Sequence, residues 1–456
     1  MNPCLMAGLA LALATPLVAL ADTAADIEAL RQELAAIRTR YEARLQALEA
    51  QLKAAQADPS PVAAPAPPNP AATATATALS SGANAFNPAL SLILSGLYAR
   101  TSQDPSKALI TGLQLPAAAP IGPGTRGFSL AESELSLSAS IDPWWRGAAH
   151  IALHPDDSVS IEEAAIQTTS LGHGLTLKAG RFFSALGYLN AKHAHTWDFV
   201  DNPLAYQALL GTQLADDGVQ LTWLAPTEQF IEWGIEIGRG RGFPGADNSR
   251  NGAGMKALTA HTGGDLGDSH SWRAGLSVLS ARADGQDLQG LGSAGQSVTS
   301  AFSGRTRVWV ADAVWKWAPN GNASRTSLKL QGEYLRSARS GSLVYDVGGT
   351  DSAGGYRAVQ SGWYLQAVYQ FLPAWRLGLR TERLDAGSPD YGLNTGRYAT
   401  SDQALRKHTL MVDFSPSEFS RLRLQLAQDR SRPGSADQQF FVQYQISLGA
   451  HGAHGY

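Results

Sequence analysis

Residues 440–450 read FFVQYQISLGA. Phe440, Val442, Tyr444, Ile446, Leu448 and Ala450 share one face of an extended chain, while Phe441, Gln443, Gln445 and Ser447 share the other. Successive side chains in a strand point to opposite sides, so this segment has one greasy face and one wet face, and the first set is expected to meet lipid. The same period-2 pattern recurs from Asn87 onward in sixteen stretches of about ten residues. They begin near Leu90, Phe128, Trp145, Val159, Leu175, Val219, Phe230, Met255, Trp272, Val308, Leu328, Trp363, Trp375, Thr409, Phe419 and Phe440.

The connections alternate in length. Short turns follow the even-numbered stretches: DP at Asp142, LGHG at Leu171, APTEQ at Ala225, GDLGDS at Gly264, APNGNAS at Ala318, LPA at Leu372 and SPSE at Ser415. After the odd-numbered ones the loops are mostly long, as at 101–126, 184–214, 281–304 and 337–356. An even strand number with short turns at one end and long loops at the other is the layout of a bacterial outer-membrane barrel. Trp145, Trp223, Trp233, Trp315, Trp317, Trp363 and Trp375 cluster near strand ends, as interfacial girdles do. A soluble β-sandwich would share the alternation but not the rhythm of the connections. Sixteen strands leave room for an aqueous channel, which points to transport of a small hydrophilic solute or ion.

Ahead of the barrel, expected over 87–456, lie three further segments. Residues 1–21 form an uncharged apolar run ending in Ala19, Leu20 and Ala21, as a secretory leader does, although no Lys or Arg precedes it. Over 22–56, Ile27, Leu30, Leu34, Ile37, Tyr41, Leu45, Leu48 and Leu52 are spaced by threes and fours with one stutter. This predicts an N-terminal α-helical coiled coil, hence a homotrimer through coiled coil and barrel; a single amphipathic helix would show the same pattern. Residues 57–86 are a Pro/Ala-rich linker. The leader and even strand number place the barrel in the outer membrane, in contact with its lipid, and the N-terminal region in the periplasm, where it could engage a periplasmic or cell-wall partner.

Cys4, the only cysteine, falls in the leader, so a metal site in the mature chain must use His and carboxylates. The formal net charge of −3 argues against a nucleic-acid partner. No enzyme is expected, since no nucleophile elbow or triad spacing is present. GLGSAG at 290–295 has the letters of a dinucleotide fingerprint but sits between strands with no helix to follow.

The whole arrangement resembles the phosphate-selective porins, with GFSLAESELSLSASIDPWWRG and LTLKAGRFFSALGYLN similar to their second and fifth strands. More narrowly, NPALSLILSGLYA, NAKHAHTWDFVD, WKWAPNGNASRTSLKLQGEY and FSPSEFSRLRLQLAQDRSRPG resemble a proteobacterial family labelled zinc-regulated TonB-dependent outer-membrane receptors. That label implies a role in zinc acquisition. TonB-dependent receptors carry a plug inside ~22 strands; this chain has no recognisable plug, so a porin-like channel is the expected mechanism. The porin likeness further implies that the loop 184–214 folds into the barrel and narrows it.

That loop contains KHAHTWDFVD, residues 192–201. His193, His195, Asp198 and Asp201 suit a transient Zn²⁺ ion, with no cofactor held tightly; equally, the histidines could hydrogen-bond within a packed loop. Facing the lumen by strand parity are Glu132, Glu134, Glu232 and Glu236, whose carboxylates favour cations, with Arg146 and His150 facing the same water, and Arg376, Arg380, Arg421 and Arg423, which favour anions. Charge selectivity stays open between a zinc or other divalent cation channel and an anion or phosphate porin; a structural tether acting through the coiled coil is the third reading.

Overall fold

The computed structural model describes residues 88–449 apart from 118, 247–250 and 402–403. They build one antiparallel sheet closed on itself: β1 (Ala89–Thr101), β2 (Gly127–Leu130 continuing as Ser133–Ser140), β3 (Trp145–Leu153), β4 (Val159–Thr168), β5 (Leu175–Phe183), β6 (Ala215–Leu224), β7 (Phe230–Gly238) and β8 (Met255–Leu266). The second half is β9 (His270–Leu291), β10 (Ser297–Trp317), β11 (Ser327–Tyr345), β12 (Ser352–Leu372), β13 (Trp375–Asp385), β14 (Leu405–Ser417), β15 (Ser420–Asp429) and β16 (Asp437–Gly449). With the two pieces of β2 taken as one strand, and the two-residue bridge Leu115–Pro116 left to its loop, the strands number sixteen. Every strand pairs with its sequence neighbours, and β1 closes on β16 from Ser91↔Gly449 to Thr101↔Gln439. Closure removes the free edges that an open sheet would expose.

Alternation decides which side chains face lipid. On β16 the outward Tyr444 and Leu448 are exposed, whereas the inward Phe441, Gln443 and Gln445 are buried. Outward Leu258, Leu276, Leu365, Leu379 and Leu426 continue an exposed apolar band round the barrel. A band of this extent on a soluble protein would drive association; on a barrel it is the lipid-facing surface of an outer-membrane protein. Trp145, Trp223, Trp317 and Trp375 lie at the short-turn end, while Trp233 and Trp363 sit within β7 and β12.

Three expectations are corrected. The segments at 281–304 and 337–356, read as loops, are mostly strand: β9 and β10 pair as far as Leu291↔Ser297, and β11 and β12 as far as Tyr345↔Ser352. Their outward residues turn polar beyond the apolar band, which hides the alternation although the backbone ladder continues. The predicted fold class included a coiled coil over 22–56, which lies outside the described residues. Among those, the one α-helix is α1 (Leu204–Leu210), seven residues long, and no helix is long and apolar enough to cross a membrane. Among the described residues the fold is therefore an all-β barrel with no coiled coil, and nothing in them supports a homotrimer built on that seam. A heptad seam stabilises a helix only when a second seam covers it, and α1 buries every one of its residues against the barrel instead. The leader and the linker also lie outside the described residues.

Candidate metal centre

Inside the barrel, loop 184–214 crosses the lumen and is fastened to the wall by inward carboxylates. Glu236 on β7 accepts hydrogen bonds from Ser184 Oγ (2.6 Å) and the Ala185 N–H (2.8 Å). Glu333 on β11 accepts from the Tyr188 and Leu189 N–H groups and from the hydroxyls of Tyr206 and Tyr364. Glu382 on β13 accepts from the Leu204 N–H (2.6 Å) at the start of α1, where a carboxylate also complements the helix dipole. Gly211 ends α1 in a left-handed conformation (φ 67°) that few other residues adopt without strain. The helix then packs Tyr206, Leu209 and Leu210, with Ile110 and Leu113 from the loop after β1, against inward Leu279, Val310, Leu335 and Leu384. This part of the lumen is thus a hydrophobic core rather than open water.

The four inward arginines complete the fastening. Arg380 donates to the Asp201 carbonyl (2.7 Å) and carboxylate (2.8 Å), Arg421 to the His195 carbonyl (2.9 Å), and Arg423 to the Trp197 carbonyl (3.0 Å). Arg376 pairs with both Asp198 and Asp413. Lys329 and Lys407 add ion pairs to Asp198 and Asp201 respectively. Burial raises the cost of both loop carboxylates, yet Lys329 and Arg376 hold Asp198, and Lys407 and Arg380 hold Asp201, well below the usual carboxylate range. Of the predicted metal ligands, these two aspartates are therefore placed among cations, away from the histidines.

His193 and His195 lie on the opposite side, against β2, β3 and β4. Glu134, 2% exposed, has Oε1 2.7 Å from His150 Nδ1, and Oε2 3.1 Å from His193 Nδ1 and 3.0 Å from His195 Nδ1. His193 also meets Glu162 (3.2 Å) and Glu163 (3.0 Å), and Glu132 rests against Glu162. One ligand atom each from Glu134, His150 and His193 falls within 4.8 Å of the others. Burial disfavours a charged His193, but hydrogen bonds to Glu134, Glu162 and Glu163 outweigh it and push the imidazole up to about 12. Imidazole nitrogen and carboxylate oxygen are zinc-type donors, and Glu134, Glu162 and Glu163 together outnumber the one imidazolium of His193.

The sequence supplied this centre in two unconnected halves, His193 and His195 as ligands and Glu132, Glu134 and His150 as lining. Glu162 and Glu163 were missed. Adjacent residues should face opposite ways, but the pairing passes from His150↔Glu163 to Ile151↔Ile161. Glu162 is thus an extra residue, and such a bulge re-aims side chains, here bringing both carboxylates to His193. The only clue was two consecutive acids in an otherwise alternating strand. Of the remaining lining residues, Arg146 is exposed on β3 and Glu232 lies 3.5 Å from His261.

No family model matches the chain. An uncharacterized protein of Aquifex aeolicus (strain VF5) is 30% identical over 394 residues, spanning 81% of this chain and 80% of that one. The chain belongs to that protein's family. Among solved structures, OmpT, an outer membrane protein of Vibrio cholerae, is 10% identical with a TM-score of 0.48, covering 80% of this chain and 99% of that one. The anion-selective porin from Comamonas acidovorans is 11% identical with a TM-score of 0.47, covering 79% and 99%. The outer membrane channel DcaP of Acinetobacter baumannii is 13% identical with a TM-score of 0.44, covering 79% and 97%.

Proposed function

We propose that this protein is a porin-like outer-membrane channel, narrowed by loop 184–214, that holds a divalent metal ion in passage at Glu134, His150 and His193. The observation that carries this reading is the convergence of those three donors within 4.8 Å. Two histidines and a carboxylate match a zinc site that keeps an open position. The proton on His193 must leave before a metal binds, so affinity is weakened at neutral pH. Weak binding is what a site for release requires.

A second reading, anion or phosphate passage, rests on the cations Arg273, Lys316, Lys329 and Arg376 in a cavity of about 1330 Å³ at the short-turn end, whose wall they share with Asp198, Glu232, Asp265 and Asp268. Planar-bilayer recordings separate the two. Cation preference with a Zn²⁺-dependent block, abolished in Glu134→Gln/His193→Ala, supports the metal reading. Anion preference with no zinc effect in either protein removes it and leaves the cations of that cavity as the selective groups.

A further inference from the structure

The outer wall of β12 to β16 is layered by register. Towards the long-loop end, Trp363↔Arg383↔Arg406 pair in one outward row. The Arg430 N–H donates to the Arg406 carbonyl (2.8 Å), so Arg430, just past β15, extends that row. The next row towards the short turns reads Leu365↔Thr381↔His408↔Gln428↔Gln438. The one after it, Ala367↔Leu379↔Leu410↔Leu426↔Phe440, is apolar until it reaches Arg100 on β1. Cation, neutral polar group and hydrocarbon thus follow one another in three steps along the wall.

The arginine row is unfavourable by itself. Neighbouring strands lie about 4.8 Å apart, and like charges directly opposite one another destabilise a sheet. Arg383, Arg406 and Arg430 are all exposed, and among the described residues no carboxylate pairs with any of them. Asp385, the acid on the same face of β13, turns Oδ1 to the Gly387 N–H (2.9 Å) instead. Arg282↔Arg305 repeat the like-charge pairing on β9 and β10, and Arg307, Arg336 and Arg357 are exposed on β10 to β12. Guanidinium forks bind phosphate through two parallel hydrogen bonds, and basic clusters at the edge of a membrane span attract anionic headgroups. A groove of about 900 Å³ crosses the two lower rows, lined by Leu379, Leu410, Leu426 and Phe440 and, nearer the arginines, by Thr381, His408, Gln428 and Gln438.

We propose that this face binds a phosphate-bearing glycolipid of the outer leaflet, with its phosphates on Arg383, Arg406 and Arg430 and an acyl chain in the groove beside them. The long-loop end of an outer-membrane barrel faces outward, so the arginines stand at the headgroup level of that leaflet. Charge and hydrocarbon on adjoining rows select an anionic amphiphile. A free phosphate would leave the groove unfilled, and a second copy of this chain docked face to face would set one arginine row against another. The surface shares no residue with the Glu134 centre and lies outside the barrel, so it holds or fails independently of what the channel admits.

The test uses the full chain refolded in a non-ionic detergent and titrated with diphosphoryl lipid A, the bound lipid being counted by native mass spectrometry. Arg383→Gln/Arg406→Gln/Arg430→Gln should weaken the tightest lipid A by about 100-fold, from roughly fivefold for each arginine beside an anionic lipid, with heat-modifiable gel mobility confirming the barrel. If the triple variant does not fold, Arg406→Gln, the central member of the row, carries the same reading with a loss of about fivefold. Lipid A stripped of its phosphates should bind wild type no more tightly than diphosphoryl lipid A binds the triple variant. Lipid A retained at parent affinity by the folded variant overturns the proposal, as does a wild type that binds lipid A equally well with and without its phosphates. Complete displacement of lipid A by inorganic phosphate overturns it in favour of a free anion. An oligomer lost in the variant by light scattering, with lipid A binding unchanged, overturns it in favour of a second copy of the chain.

Discussion

Replacing Glu333 with glutamine tests whether loop 184–214 is a fastened constriction. Glu333 is 3% exposed, and its two oxygens take four donors: Leu189 N–H (2.9 Å) and Tyr364 OH (2.5 Å) on one, Tyr188 N–H (3.2 Å) and Tyr206 OH (2.7 Å) on the other. Glutamine keeps the shape but turns one acceptor into a donor, so two of the four bonds are lost. Hydrogen bonds to a charged group contribute about 1.5–3 kcal/mol each, giving roughly 3–6 kcal/mol for the pair. The Tyr364 hydroxyl already accepts from Gln331 Nε2 (2.6 Å) and can accept from the new amide, which favours the lower figure. At about 1.4 kcal/mol per tenfold, the docked-to-undocked ratio of the loop should fall by at least roughly a hundredfold. Single-channel recording should show a larger or more often open conductance, with heat-modifiable gel mobility confirming an intact barrel. An unchanged conductance in a folded Glu333→Gln protein refutes the idea that this carboxylate holds a closing loop.

Leu209, fully buried on α1, packs into the lumen core. Leu209→Ala should cost about 2–5 kcal/mol, read as a lower urea midpoint in detergent together with raised conductance. The ion pairs of the loop predict a pH profile with two edges. Asp198 and Asp201 are depressed, so their contribution is complete above about pH 4 and is lost as pH falls through their folded values. His193 is raised to about 12, so its contribution is complete below about pH 6.5 and declines as pH rises toward 12. Conductance should therefore be lowest between the two edges and rise on acidification below about pH 4; a profile flat down to pH 2 would show that the aspartates do not anchor the loop.

The alternation in residues 440–450 and its repeats determined the barrel, the sixteen strands and the lumen-facing identity of Glu134, His150, Glu236 and the four arginines, because strand parity is a local property. Only the folded chain decided how those residues combine. Asp198 and Asp201 share a ten-residue motif with His193, yet they go to cations on β11, β13 and β14, while His193 goes to glutamates on β2 and β4. A loop that crosses a lumen meets several walls within a few residues, and sequence proximity cannot tell which. The bulge at Glu162 is also decided by register between strands, a non-local pairing that no single stretch encodes.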